Sequence, residues 1–450
     1  MYLKYLFVFG FTLLVGTIGC AWHIKDDVWQ VQLPLGREYK AFHPPSKASD
    51  ISSVQKLENP TGAVTLQQAL ALGLLQNPEL KSFFWEVRSA EARALQAGLL
   101  PNPEIETSVE NFEGEKEQKE FRSAETTVQI SQLIELGGKR SKRKHLSNLE
   151  KNLAGWDYES KRLDVFTEIT KAYWDVFAAQ EYLTITSELA WLSEETYNTV
   201  VERVKAGKVP PVEEIQAKVS LTTAKIEFEQ TKRELETARR KLAATWGSTL
   251  TTFEKVSGVI DTAAPIPPQE QLENLIVQNP DVARWAAEVE KNRANVKLKD
   301  TSAIPDITIG AGPRYFNETD NTAFVMALSM PIPIFNRNQG EKLEARYSLA
   351  KAEEEQKASL VRARTELGQA YQELSSAFLS ASSLKDTALP AADIAFNASL
   401  EGYREGKFNY LVVLDSQRTL FEVKRHYVNA LEDYHKARAN IERLIAQNLP

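Results

Sequence analysis

The 450-residue sequence is written twice over one plan. Leu75-Gln76-Asn77-Pro78-Glu79-Leu80 returns 202 residues later as Val277-Gln278-Asn279-Pro280-Asp281-Val282, and Pro103-Glu104-Ile105 returns at the same displacement as Pro305-Asp306-Ile307. Farther on the displacement becomes 198 or 199: Ala172-Tyr173 matches Ala370-Tyr371, and Ala206-Gly207-Lys208 matches Glu405-Gly406-Lys407. Two copies of one supersecondary plan must then pack against each other. The halves are bounded at 64–258 and 259–450.

Each half reads as a helix, a β-hairpin, a very long helix, a tight turn and a returning helix. Residues 66–99 and 272–302 are rich in Ala, Leu, Glu, Lys and Gln and stop before a proline, which predicts one helix over each. In Glu104-Ile105-Glu106-Thr107-Ser108-Val109-Glu110 apolar and polar residues alternate, the period of a strand with one apolar and one wet face. Residues 125–130 do the same, so 103–131 is predicted to be a hairpin around a polar loop. Residues 307–310 and 322–328 predict a second hairpin over 305–332. Four strands cannot close a barrel, and open edges are not tolerated in lipid. Either the strands stay in water or several chains pool them; three chains give twelve, an even number.

Leu360, Ala363, Leu367, Ala370, Leu374, Ala377, Ala381 and Leu384 run in steps of three and four, the seam of a coiled coil with large and small residues alternating. Val165, Ile169, Ala172, Val176, Ala179 and Leu183 carry the same seam 198 residues earlier. The returning helices repeat it at Leu221, Ala224, Phe228, Thr231, Leu235, Ala238 and Leu242, and again from Leu420 to Ile441. Residues 138–207 contain no proline, which allows a rod of about 100 Å at 1.5 Å per residue. The fold class expected is mainly α: the four matched seams imply a long helical coiled-coil barrel or bundle, with four β-strands per protomer that a membrane β-barrel would have to pool from several chains.

At the N-terminus, Lys4 precedes an apolar stretch that ends in Thr17-Ile18-Gly19-Cys20, an export signal over 1–19 whose end resembles a lipobox. Cys20, the chain's only cysteine, is the expected site of acylation, and 20–63 reads as an extended lead segment with four prolines. Beyond the signal no apolar run approaches the roughly 18 to 20 residues of a spanning helix, so any membrane crossing falls to the strands. The net charge of −7 is mixed in sign and no basic face is interleaved with aromatics, which excludes a nucleic-acid partner.

These residues resemble the TolC family of outer-membrane efflux proteins over 64–446. The carriers are residues 66–69 with Asn77-Pro78, Leu136-Gly137-Gly138-Lys139-Arg140, Pro331-Ile332-Pro333-Ile334-Phe335-Asn336-Arg337-Asn338-Gln339-Gly340, Tyr403 with Gly406, and Leu414-Asp415. The proline-rich run most resembles the CzcC-type branch, which serves heavy-metal pumps of the RND class. The resemblance implies a homotrimer with a twelve-stranded barrel in outer-membrane lipid and a helical tunnel across the periplasm. Its implied partners are a periplasmic adaptor and an inner-membrane RND pump. Acidic residues are expected at a periplasmic iris: Asp415 matches the later of two usual aspartates, whereas Val412 stands at the earlier one.

The helical turns at 207–211 and 406–410 mark that end. Glu213 and Glu214, with Asp415, are the candidate gate residues, since threefold rings of carboxylates attract cations. Glu213 and Glu214 also follow Pro210-Pro211, where a first helical turn favours acids in any case. Lys139, Arg140, Lys142, Arg143 and Lys144 could meet lipid headgroups or form a solvated helix start. Phe112, Phe121, Tyr315 and Phe316 could form a girdle or pack loops. Glu432 and His435 have half of a di-iron spacing and read as a solvated helix face. No catalytic constellation, cofactor site or metal site is expected. The function expected is a passive duct for heavy-metal cations, with drug efflux, type I secretion and a non-pore coiled-coil adaptor as alternatives; three methionines offer no soft-ligand path.

Overall fold

The computed structural model describes residues 33–42, 58–258 and 265–449. The signal segment, Cys20 and most of the lead segment lie outside these.

The first half begins with β1 (Gly62–Val64), then α1 (Leu66–Gln76) and α2 (Pro78–Ala97), two helices where one over 66–99 is expected. Pro78 brings no amide hydrogen and forces Asn77 out of helical geometry, at φ −53° and ψ 122°. Asn77 then caps α2, accepting from the Leu80 amide at 2.8 Å, and its side-chain amide donates to the Thr245 carbonyl at 2.8 Å. The second half repeats the break: α5 (Gln269–Glu273) and a 3-10 turn precede α6 (Pro280–Thr301). Asn279 accepts from Asp281 and donates to Leu444 at 3.0 Å. Thr245 and Leu444 are themselves 199 residues apart. The repeated Asn-Pro is thus a clamp between a short helix and the end of the returning one.

Between these lie the strands β2 (Glu104–Glu110) and β3 (Glu125–Ile134), the rod α3 (Lys139–Lys205), α4 (Pro211–Ala244) and β4 (Phe253–Val256), which pairs with β1 in parallel. After α6 come β5 (Ile307–Phe316), β6 (Asn321–Ser329), α7 (Gln339–Ser383), α8 (Leu389–Arg404) and α9 (Tyr410–Ile445). The hairpin strands therefore outrun the expected bounds at 130 and 310. The 67 residues of α3 are one unbroken helix, as the proline-free run predicts.

β2, β3, β5 and β6 form one antiparallel sheet in that order. Below it α3 packs on α2 and α6, and α6 on α7; farther down α3 packs on α4 and α9. The seams predicted from heptad spacing are buried: Leu367, Leu374, Ala381, Leu235 and Leu242 all lie in the core.

Residues 33–42 turn at Gly36 (φ +69°) rather than run extended. Arg162, buried on α3 and paired with Glu159, donates to the Leu35 carbonyl at 2.7 Å, and Leu35 donates to Ala446. Residues 33–42 are thereby fastened across the rod.

Candidate functional site

The far end of the helices is built from two turns of one design. Gly207 (φ +68°) and Gly406 (φ +79°) take the left-handed conformation that lets a helix end fold back. Lys208 donates to Arg203 at 2.9 Å in the first turn, and Lys407 donates to Gly402 at 2.8 Å in the second. α4 then starts on Pro210-Pro211, whereas α9 starts on Asn409, whose side chain accepts from Val412.

Side chains join the two turns. The Arg203 guanidinium of α3 lies 4.3 Å from the Tyr403 ring centre and donates to the Tyr403 carbonyl on α8. The Tyr403 hydroxyl donates to Glu213 of α4 at 3.3 Å. Tyr403 is buried, and burial with the nearby Glu213 carboxylate pushes its hydroxyl up to about 12, so it stays a neutral donor. Three elements from both halves are held by one tyrosine.

Of the candidate gate residues, Glu213 is engaged in this contact and Glu214 is half-buried beside it in the first turn of α4. Asp415 is exposed on α9 and lines a groove of about 680 Å³ with Ile215, Val219, Leu411 and Arg418. Arg203 and Tyr403 escape the sequence reading as a pair. Tyr403 stands out only as a motif residue, and nothing local ties it to an arginine 200 positions away.

At the other end, the sheet has two unlike faces. Cross-strand pairing puts Glu104, Glu106, Glu110 and Glu125 on the face that also carries Thr127, Gln129 and Arg314. Arg314 donates to Glu125 at 2.9 Å and to Thr127 at 2.8 Å, and its third nitrogen is 3.7 Å from Glu110. Two of the four carboxylates on this face thus share its one guanidinium, and Glu106 instead accepts from Gln129. The opposite face is apolar, and Ile105, Phe324, Met326 and Leu328 are each more than 70% exposed. Phe112 and Phe121 stack at 5.6 Å beyond the strand ends.

The basic cluster is tied inward. Lys139 bonds Asp306 at 2.8 Å, Arg140 the Gly98 carbonyl, Lys142 the Gly137 carbonyl, and Arg143 both Glu135 and the Ala97 carbonyl. These bonds close the strand-to-helix junction. The solvated reading of Glu432 and His435 is corrected: His435 stacks on Trp174 of α3 at 3.7 Å, and Glu432 bonds Lys436. Burial pushes the imidazole down to about 4, with Arg438 adding to the shift. Among the described residues no group of side chains has the makings of a metal site, and no helix is long and apolar enough to cross a membrane.

Residues 67–248 and 272–447 match the family described as outer membrane efflux protein. The cobalt-zinc-cadmium resistance protein CzcC of Cupriavidus metallidurans is 33% identical over 86% of this chain and 91% of its own length. The outer membrane protein VceC of Vibrio cholerae superposes with a TM-score of 0.73 at 17% identity, over 86% of this chain and 97% of VceC. The channel CusC does so with a TM-score of 0.67 at 17% identity, over 88% and 96%. The two structures share the fold.

Proposed function

The chain belongs to the outer membrane efflux protein family, and on that premise we propose that three copies form a passive outer-membrane duct for heavy-metal cations. The repeat supports this by showing how copies would join. Inside one chain the halves meet where β3 pairs with β5 and α3 packs on α6. Applied once more, the same operation sets β6 against β2, and α7 against α2, of a second copy. β2 and β6 are the edges of the four-stranded sheet, so three copies close twelve strands with no edge left in lipid.

The observation that carries the cargo reading is the acid-rich face of the sheet. With the apolar face in lipid, four glutamates and one arginine per copy line the lumen, a field that favours cations. CzcC, the relative aligned over most of its length, is called a cobalt-zinc-cadmium resistance protein. The duct moves nothing by itself and performs no chemistry. Cys20 supplies a lipid anchor, and Glu213, Glu214 and Asp415 ring the periplasmic opening, where a periplasmic adaptor and an inner-membrane RND pump dock.

The test is reversal potential in planar bilayers under a salt gradient. Cation preference is expected, and it falls when Glu104, Glu106, Glu110 and Glu125 are replaced together by Gln. A trimer that conducts without cation preference overturns the cargo reading, and a protein that never conducts overturns the duct. In cells, deletion is expected to lower tolerance of cobalt, zinc or cadmium; loss of drug tolerance alone points to the drug-efflux alternative.

A further inference from the structure

Two charged triads hold the halves together inside one chain. In the first, Arg443 of α9 donates to Asp164 of α3 at 2.5 Å and to Asp281 of α6 at 3.0 Å. In the second, Lys436 of α9 meets Asp175 of α3 and Glu432 of α9, each at 2.5 Å. Each triad is one cation between two acids, and each is partly buried.

In these stretches the rods are displaced by 198 residues, the returning helices by 199 and the short helices by 202. Asp164, Asp281 and Arg443 therefore correspond to Arg362, Glu79 and Ala244, while Asp175, Glu432 and Lys436 correspond to Glu373, Arg233 and Thr237. The same exchange has happened twice. The cation of the returning helix has become a small neutral residue, and one of the two acids has become an arginine. Had only the cation been lost, two acids would repel each other; had only the acid changed, two cations would compete for one acid. The paired change leaves one acid and one base at each place.

Within one chain these four charges face water. The Arg362 side chain is 56% exposed and that of Glu79 67%, and Arg233 and Glu373 are exposed too. Glu373 lies with Gln372, Ser376 and Ser380 on an open groove of about 1040 Å³ along α7 and α9. The corresponding flank of α3 is covered by α9, where His435 stacks on Trp174. The counterpart of α9 is α4, so the repeat sets α4 of a second copy in that groove.

We infer that Arg233–Glu373 and Glu79–Arg362 are ion pairs between copies, which seat α4 and α2 of one chain on α7 of the next and force first and second halves to alternate around the ring. A first half set on another first half would oppose Asp164 to Glu79, with Ala244 where the bridging arginine belongs. A second half set on another second half would bring Arg362 and Arg443 to the single acid Asp281. Alternation alone balances both sites, so the charges reject the wrong seams as well as favouring the right one. This inference rests on reading three copies as one duct.

The test uses the full-length chain in outer-membrane fractions. Two chains with tags of different length are co-expressed, one carrying Arg233→Cys and the other Glu373→Cys, and treated with a short bismaleimide. A cross-linked dimer of mixed size is expected, absent when either variant is paired with the unmodified chain; Glu79→Cys with Arg362→Cys is expected to behave alike. Charge reversal is tested at Arg233 and Glu373, which form no other ion pair among the described residues. Arg233→Glu and Glu373→Arg are each expected to lower the trimer fraction severalfold, and both in one chain to restore it. A trimer that forms without either mixed cross-link, or reversals that do not rescue each other, overturns the pairing and leaves the duct standing. An unmodified chain that forms no trimer overturns both.

Discussion

Set side by side, the two halves keep one shape and divide the work. The first rod is continuous over 67 residues, while the second, built on the same seam, is interrupted by a π turn and a proline. The first hairpin of strands carries Glu104, Glu106 and Glu110, while 202 residues later stand Asp306, Thr308 and Gly312, with Asp306 tied to Lys139. The tip contact uses Arg203, Tyr403 and Glu213, whose counterparts 199 residues away are Gly402, Val204 and Val412. A duplicated plan is held by its seams and clamps, which both halves retain. Function is assigned where one half has let a residue change.

The sharpest test of that division is in the sheet. A Cβ on Gly312 would lie 2.6 Å from the Gln129 Cα and run into the Val128 carbonyl oxygen, because β5 crosses β3 there at close range. Gly312→Val is expected to abolish assembly of the proposed trimer, seen as loss of the oligomer band in outer-membrane fractions. Its first-half counterpart Glu110 is exposed, and Glu110→Ala is expected to leave assembly intact.

Next in size is acid sensitivity at the contact between the halves. His435 is held neutral against Trp174 with its imidazole near 4, whereas an unfolded histidine titrates near 6.5. Above about 6.5 both states are neutral and the contact contributes fully. As pH falls from there toward 4 the unfolded chain takes a proton that the folded one refuses, so stability is lost, by up to roughly 3 kcal/mol per chain. Glu432, pushed up by burial, offsets part of this, since it protonates more readily when folded. Thermal denaturation is expected to show a steeper fall between pH 6.5 and 4 for the unmodified chain than for His435→Gln. The counterpart Glu236 is half-exposed and pairs with Arg239, so Glu236→Gln is expected to change little.

The clamps should instead prove equal. Asn77→Ala and Asn279→Ala each remove a helix cap and a buried side-chain bond, and each is expected to cost about 2 kcal/mol, read as matching falls in denaturation midpoint. Markedly different losses would break the equivalence of the halves.

How much of this could be read from the sequence follows the same line. The seams, the strands and both glycine turns were legible because heptads, alternation and left-handed glycines are local signals. The helix breaks at Asn77 and Asn279 were misread because alanine- and leucine-rich flanks outweighed one proline on each side. The π turn was visible only as a displacement that slipped from 198 to 199, and the ties of Lys139 and Arg143 looked like a free basic run because Asp306 and Glu135 are reached through the fold. Glu213 was legible as a candidate, but its partner Tyr403 was not, since no spacing rule links residues 190 apart.

The smallest effect tests whether the acidity of the lumen depends on which half supplies it. Glu106 and Thr308 occupy equivalent places on the same face of the sheet, and Glu106 is held only by Gln129 at 2.7 Å on an exposed surface. Glu106→Thr is expected to lower cation preference slightly, and Thr308→Glu to raise it. In a water-filled pore charges act over about 8 Å at physiological salt, so the double exchange should return reversal potential close to its starting value. If it does, the first hairpin's acids act as a diffuse field that either half could provide. A double exchange that keeps the full loss would mean instead that Glu106 acts at a fixed point in the ring, and the division of labour between the halves would reach down to single positions in the barrel.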